Sequence, residues 1–150
     1  MNMKLLSASL ITAVICSNTY AKELTNPDMI FAKKCQICHN LAKPKSKELK
    51  KRMAAPPIGI VIKNLMIGID AVEEPANKQE LDNLTIAFIK DYLFKPTREK
   101  AYCEDISFQK FGMMPSLTGF LTQNEAAIIA PWVVKKYAPK KDKNGKYIIK

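Results

Sequence analysis

Five consecutive residues, Cys35-Gln36-Ile37-Cys38-His39, limit this chain more than any other stretch of its sequence. Cys-x-x-Cys-His is the pattern of covalent attachment of a c-type haem. The chemistry explains the spacing. Residues three and four apart share one side of a helical turn, so Cys35, Cys38 and His39 are expected to project the same way. Two thiols can then form thioethers with the two vinyl groups of one macrocycle while the neighbouring imidazole reaches the iron. A fold built on this motif must leave room for an apolar disc beside a helix end, and the anchored disc gives a short chain a large apolar object to pack around.

Other uses of the same residues fit less well. A structural zinc needs four donors at one ion, and the candidates are Cys35, Cys38, His39 and Cys103, of which Cys38 and His39 are adjacent and strained toward a single tetrahedral centre. A thioredoxin-type pair belongs between a strand and a helix, whereas these cysteines close a helical pattern. A plain disulfide leaves His39, the chain's one histidine, without a role. That single histidine also excludes a bis-histidine haem within the chain, so the second axial donor falls to a methionine sulfur. Gly112-Met113-Met114-Pro115 offers two, in a loop ahead of the last helix, and Pro115 holds Met114 extended and stiffens the loop. Sequence alone does not separate Met113 from Met114.

The remainder reads as helices joined by irregular loops, with no internal repeat and no long apolar–polar alternation. Asn26 is the expected cap of a first helix, with Pro27 at its first position, running through Met29, Ile30 and Phe31 toward Cys38. A basic loop, Lys43 to Arg52, follows. Residues Ala54 to Asp70 open with Ala-Ala-Pro-Pro-Ile-Gly and are dense enough in apolar side chains to require a buried surface, but their glycines leave helix and coil open. Leu81, Leu84, Thr85, Phe88, Ile89, Tyr92 and Leu93 form a helical stripe between Asn77 and Lys95, which Pro96 stops. Thr122 and Glu125 make a capping box for a last helix through Ile128, Ile129, Trp132, Val133 and Tyr137, with a bend expected at Pro131. The final 138–150 form a lysine-rich tail expected to be mobile, although Tyr147, Ile148 and Ile149 could dock.

With both motifs in place, the chain resembles the class I c-type cytochromes over most of its length, roughly Asn26 to Tyr137. Members of that family have an N-terminal helix ending in Cys-x-x-Cys-His, a Met-Pro loop and a C-terminal helix that crosses the first. The resemblance implies an all-α, cytochrome c-like helical fold around one covalently bound haem c, tied through Cys35 and Cys38. It places His39 and Met114 on the iron, with Met113 as the alternative. It also implies a proline carbonyl on the ring N–H of His39, for which Pro56 and Pro57 are the candidates and the Ala-Pro-Pro-Ile-Gly context favours Pro57. The stretch from this proline to the Met loop is longer than the family pattern and contains an extra central helix.

The beginning of the chain fits export. Lys4, the 12-residue apolar run Leu5 to Cys16 and the Thr19-Tyr20-Ala21 ending have the layout of a secretory signal peptide cleaved after Ala21. The run is too short for a spanning helix, which needs about 20 apolar residues, and Ile15 ahead of Cys16 does not suit lipoprotein processing. The expected organisation is therefore a signal peptide (1–21), one domain (22–137) and the basic tail (138–150), acting in the periplasm without stable membrane insertion. Those first 21 residues hold one of the 24 basic side chains and none of the 14 acidic ones, so the mature protein stays strongly basic. Export makes nucleic acid the least expected partner.

If both His39 and Met114 bind iron, no coordination position is open, and the expected function is single-electron transfer between redox partner proteins rather than catalysis. Lys33, Lys34, Lys43 and Lys45 are the expected electrostatic docking face. The rival expectations are a haem subunit of a larger periplasmic oxidoreductase, and a haem with a displaced methionine that binds a small ligand or reacts with peroxide. Cys103, left over from haem attachment, is either a small buried hydrophobe or the site of a disulfide or complex contact.

Overall fold

A computed structural model of the chain describes residues 24–102, 105–143 and 147–148. The expected leader (1–21) and Cys103 lie outside them. Among the described residues the architecture is helical, as expected, and strand is confined to two segments of two residues.

Helix α1 (Pro27–Ile30) starts where its residue types require: Asn26 is extended, its side chain accepts from the amides of Asp28 and Met29, and Pro27 follows it. The missing N–H of proline costs nothing there, because the first amides of a helix have no intrahelical partner. The chain then continues as a π-helical turn, Phe31–Cys35, a wider winding that is rare and occurs mostly as single turns within α-helices. Helix α2 (Lys47–Lys51) lies in the basic loop, capped by Ser46. Helix α3 (Ile58–Glu73) resolves the undecided apolar segment as helix, begun by the prolines and ended at Glu74 in a left-handed conformation with φ of 47°. Helix α4 (Lys78–Tyr92) is capped by Asn77 and covers most of the apolar stripe expected between Asn77 and Lys95. Helix α5 (Asp105–Phe111) is an addition to the elements expected from sequence. Helix α6 (Gln123–Tyr137) carries the full capping box of Thr122 and Glu125 and runs as one element through Pro131, which is exposed.

Helices α3, α4 and α6 pack on one another, and α1 packs on α6. The buried positions follow the helical period: Ile62, Met66 and Ile69 on α3, Leu81 and Thr85 on α4, Ala126, Ile129, Ala130 and Val133 on α6. Thr85 satisfies its buried hydroxyl by donating to the Leu81 carbonyl at 2.7 Å. Ile30 is wholly buried, and the Phe31 ring meets Trp132 of α6 at 5.6 Å between centroids. The tail departs from expectation. Strand β1 (Lys140–Lys141) pairs antiparallel with β2 (Tyr147–Ile148), and the Lys141 ammonium lies 2.9 Å from Asp70 of α3. The start of the tail is thereby folded back on the helical body.

Gly68 marks a close approach. A Cβ there would lie 2.7 Å from the Cβ of Tyr102, an atom fixed to the backbone that cannot swing aside. Alanine would gain about 1 kcal/mol of helix propensity but force an overlap of the kind that costs about 1–3 kcal/mol. Gly68→Ala is therefore expected to lower stability by as much as about 2 kcal/mol, read as a lower thermal midpoint. A rise in the midpoint would contradict this packing.

Candidate functional site

The π-turn delivers the Cys-x-x-Cys-His residues into a single turn. The Cys35 carbonyl accepts from the amides of both Cys38 (3.1 Å) and His39 (2.9 Å), which is the local winding that the three-and-four spacing requires. Cys35 is half-buried against the core, Cys38 is exposed and His39 is partly buried. Nδ1 of His39 lies 2.8 Å from the carbonyl oxygen of Pro56. A carbonyl can only accept, so Nδ1 carries the proton, and in the neutral ring Nε2 keeps its lone pair. Burial lowers the His39 pKa, and the bond to Pro56, a smaller opposing influence, raises it. The neutral, metal-binding form is thus favoured.

The proline partner differs from the favoured candidate. Pro57 does not face His39 because its carbonyl starts helix α3, accepting from the amides of Ile60 (2.9 Å) and Val61 (3.1 Å). Pro56, one residue earlier and outside the helix, has the free carbonyl. A further backbone bond, from the Ile58 amide to the Asn40 carbonyl at 3.0 Å, closes the loop beside it.

The Met loop is formed by an equally local device. Gly112, at φ of +70°, ends α5 with its amide on the Phe108 carbonyl, a left-handed stop that glycine adopts without strain. Met113, Met114 and Pro115 follow. The loop is fastened to the end of α4 by Ser116 Oγ donating to the Phe94 carbonyl (2.7 Å) and by the Leu117 amide donating to the Leu93 carbonyl (2.8 Å). Met114 packs against the core, whereas Met113 is 52% exposed. Phe108 and Phe111 of α5 also belong to the site. Their spacing of three, closed by a glycine, is the sequence signal that marks this helix.

Motif and Met loop line one cleft. About 1490 Å³ of unfilled space, partly open to solvent, lies between Cys35, Cys38, His39 and Pro56, the core faces of α3, α4 and α6, α5, and Met113 and Met114. Its walls are overwhelmingly apolar: Ile58, Ile62 and Leu65 of α3, Ile89 of α4 and Leu93 just after it, Ile129 and Val133 of α6. Burial, with the neighbouring Cys38 adding to it, pushes the Cys35 thiol up to about 11, so at neutral pH it stands as a protonated thiol. Two thiols, one neutral imidazole and two thioether sulfurs around an apolar slot are suited to a flat, apolar metal complex with covalent handles. Among the described residues no three His, Cys, Asp or Glu side chains are grouped to hold a bare metal ion, and no helix is long and apolar enough to cross a membrane.

Of the expected docking lysines, Lys33, Lys43 and Lys45 are exposed, but Lys34 is used internally. Its ammonium donates to the Phe120 carbonyl (2.6 Å) and to Glu125 (2.9 Å) and lies over the Phe120 ring. Glu125, itself buried, also accepts from the amides of Thr122 (3.0 Å) and Leu24 (3.4 Å). The pair ties the turn that carries Cys35 to the beginning of α6. Burial pushes the Glu125 carboxyl up, but the Thr122 amide, the Lys34 ammonium and the Leu24 amide outweigh it and hold the group below its ordinary value. A carboxylate lowered in the folded state adds stability that is complete above its unfolded value, about 4.3, and is lost as pH falls from there through the folded value. Glu125→Gln should cost about 1–3 kcal/mol at neutral pH, less than stranding a fully buried charge because the Lys34 side chain is 21% exposed. The gap between parent and variant should close in acid. Denaturation at neutral pH and well below pH 4 checks both statements, and a gap of equal size in the two conditions would overturn the assignment.

No family model matches the chain, and no solved structure matches it. A protein of Aquifex aeolicus (strain VF5), itself named only as an uncharacterized protein, is 30% identical over 119 residues, which span 72% of this chain and 71% of that one. With that identity over more than two thirds of both chains, this protein and the Aquifex aeolicus protein belong to one family.

Proposed function

We propose that the protein is an exported class I c-type cytochrome that carries single electrons in the periplasm and is not itself an enzyme. The observation that supports this most is the meeting, in one apolar cleft, of Cys35, Cys38 and His39 with Met113 and Met114 from a distant part of the chain. A bound haem c supplies a one-electron couple. Cys35 and Cys38 are the thioether anchors, His39 offers Nε2 to the metal, and the Pro56 carbonyl holds the ring in the tautomer that makes this possible. Met114, packed against the core, would supply the second sulfur donor to the metal in preference to Met113, which is half in solvent. If His39 and Met114 both held the metal, protein atoms would leave no place for a substrate there, which favours electron transfer over catalysis. The apolar walls would surround the bound group with a low-polarity environment, and a thioether donor in such surroundings favours the reduced state. Donor and acceptor proteins would approach the mouth of the cleft, where Cys38 and Met113 are exposed.

Production in a host competent in cytochrome maturation tests the reading. The exported chain should be coloured and heavier than the bare polypeptide by one haem. In the ferric protein, Met114→Ala should abolish the sulfur-to-iron charge-transfer band and let the ferrous form bind carbon monoxide, while Met113→Ala leaves both as in the parent. A colourless protein with the mass of the polypeptide alone would end the proposal.

A further inference from the structure

The ten residues Lys43 to Arg52 hold six basic side chains and one acidic one, Glu48, so a quarter of the chain's 24 Lys and Arg residues occupy a fifteenth of its length. All six are exposed, and none has an ion-pair partner among the described residues. By contrast, Lys78, Lys100, Lys136 and Lys141 each face an aspartate. The loop is also set apart from the core. Its two ends are fastened together by the His39–Pro56 and Ile58–Asn40 hydrogen bonds, and α2 within it buries none of its residues. Two leucines flank or interrupt the basic run in water, Leu41 at 45% and Leu49 at 53% exposure.

Gathering like charges on a closed loop costs self-repulsion, and leucines left in water gain nothing from burial. Both costs are relieved against a surface that is negative and has an apolar layer beneath. We propose that residues 41–52 form a docking face for an anionic lipid bilayer, with the six cations against headgroup phosphates and Leu41 and Leu49 entering the interface. Basic side chains combined with exposed apolar ones form the two-part signal that holds proteins reversibly on such surfaces. A bilayer also accepts charge without a matched pattern of partners, which suits a loop whose cations are unpaired and unshaped by any pocket. Attachment through this loop would bring the His39 side of the molecule to the membrane. The inference does not depend on what fills the cleft.

The exported protein, with whatever it carries, is mixed with vesicles of phosphatidylcholine alone and of phosphatidylcholine with phosphatidylglycerol, and the bound fraction is read by sedimentation. Binding is expected to the mixed vesicles only, and to fall steeply with salt as the screening length shrinks from about 10 Å at 0.1 M toward about 3 Å at 1 M. Replacing Lys45, Lys47, Lys50 and Lys51 by Gln should weaken binding by at least about tenfold. The same substitution at Lys90, Lys95, Lys135 and Lys140 removes equal charge and should weaken it no more than about threefold. Leu41→Ser with Leu49→Ser should lower affinity while leaving the salt dependence unchanged. Equal losses in the two lysine variants would assign the effect to net charge and overturn the proposal. It is equally overturned if the parent ignores anionic vesicles, including the case in which the same loop instead captures an acidic protein.

Discussion

The two ends of the domain are held at one place, and the site is arranged from there. Helix α1 has only four residues before the π-turn, far below the length at which a helix stands alone in water. Its position comes from α6. Ile30 is wholly buried, Phe31 lies against Trp132, Lys136 reaches Asp28 at 3.2 Å, and Lys34 is bound to buried Glu125. The ion pair Lys136–Asp28 is exposed and of small worth. The Lys34–Glu125 pair is different, because Glu125 has two further duties: completing the α6 capping box through the Thr122 amide and receiving the amide of Leu24. Losing it would loosen the cap, the N-terminal segment and the turn bearing Cys35 together.

From that anchorage the cleft follows as a consequence of shared residues. Phe31, Ile62, Leu65, Ile129 and Val133 belong to the hydrophobic core and also line the cleft. The core therefore does not close on itself. It wraps an apolar cleft whose walls are these same side chains. The α3–α4–α6 packing sets the shape of the space, while the two loops, each fastened at its base by backbone hydrogen bonds, bring the sulfur and nitrogen donors to its edge.

Much of this is readable in the sequence wherever local chemistry decides local structure. Asn26 with Pro27, Asn77, and Thr122 with Glu125 all cap helices where their residue types require it, because a cap is settled within four residues of itself. The periodic stripe of α4 is legible for the same reason. Cys35, Cys38, His39 and Met114 stand out as candidates because each belongs to a short contiguous motif, and all four line the cleft. What stays hidden depends on non-local geometry. Which proline carbonyl meets His39 turns on which one is consumed in starting α3, and that in turn depends on the Ala54–Asp70 segment being helical. Lys34 reads as a surface cation because its partner is 91 positions away. Helix α5 is obscured by its seven-residue length, too short for a periodic signal.

The basic loop shows how a site can be exact while the surface beside it is free to vary. The His39–Pro56 and Asn40–Ile58 bonds fix the two ends of residues 41–55 relative to each other, and the residues between contribute no buried side chain from α2. Loop-closure entropy grows only slowly with length, so the interior of such a loop can change in sequence or charge at little cost to the body. The ring of His39 would keep its orientation, because the groups that orient it sit at the base of the loop. Precision at the cleft and charge at the surface are thereby separated in a stretch of fewer than twenty residues, and a substitution on one side of the base is expected to leave the other unaffected.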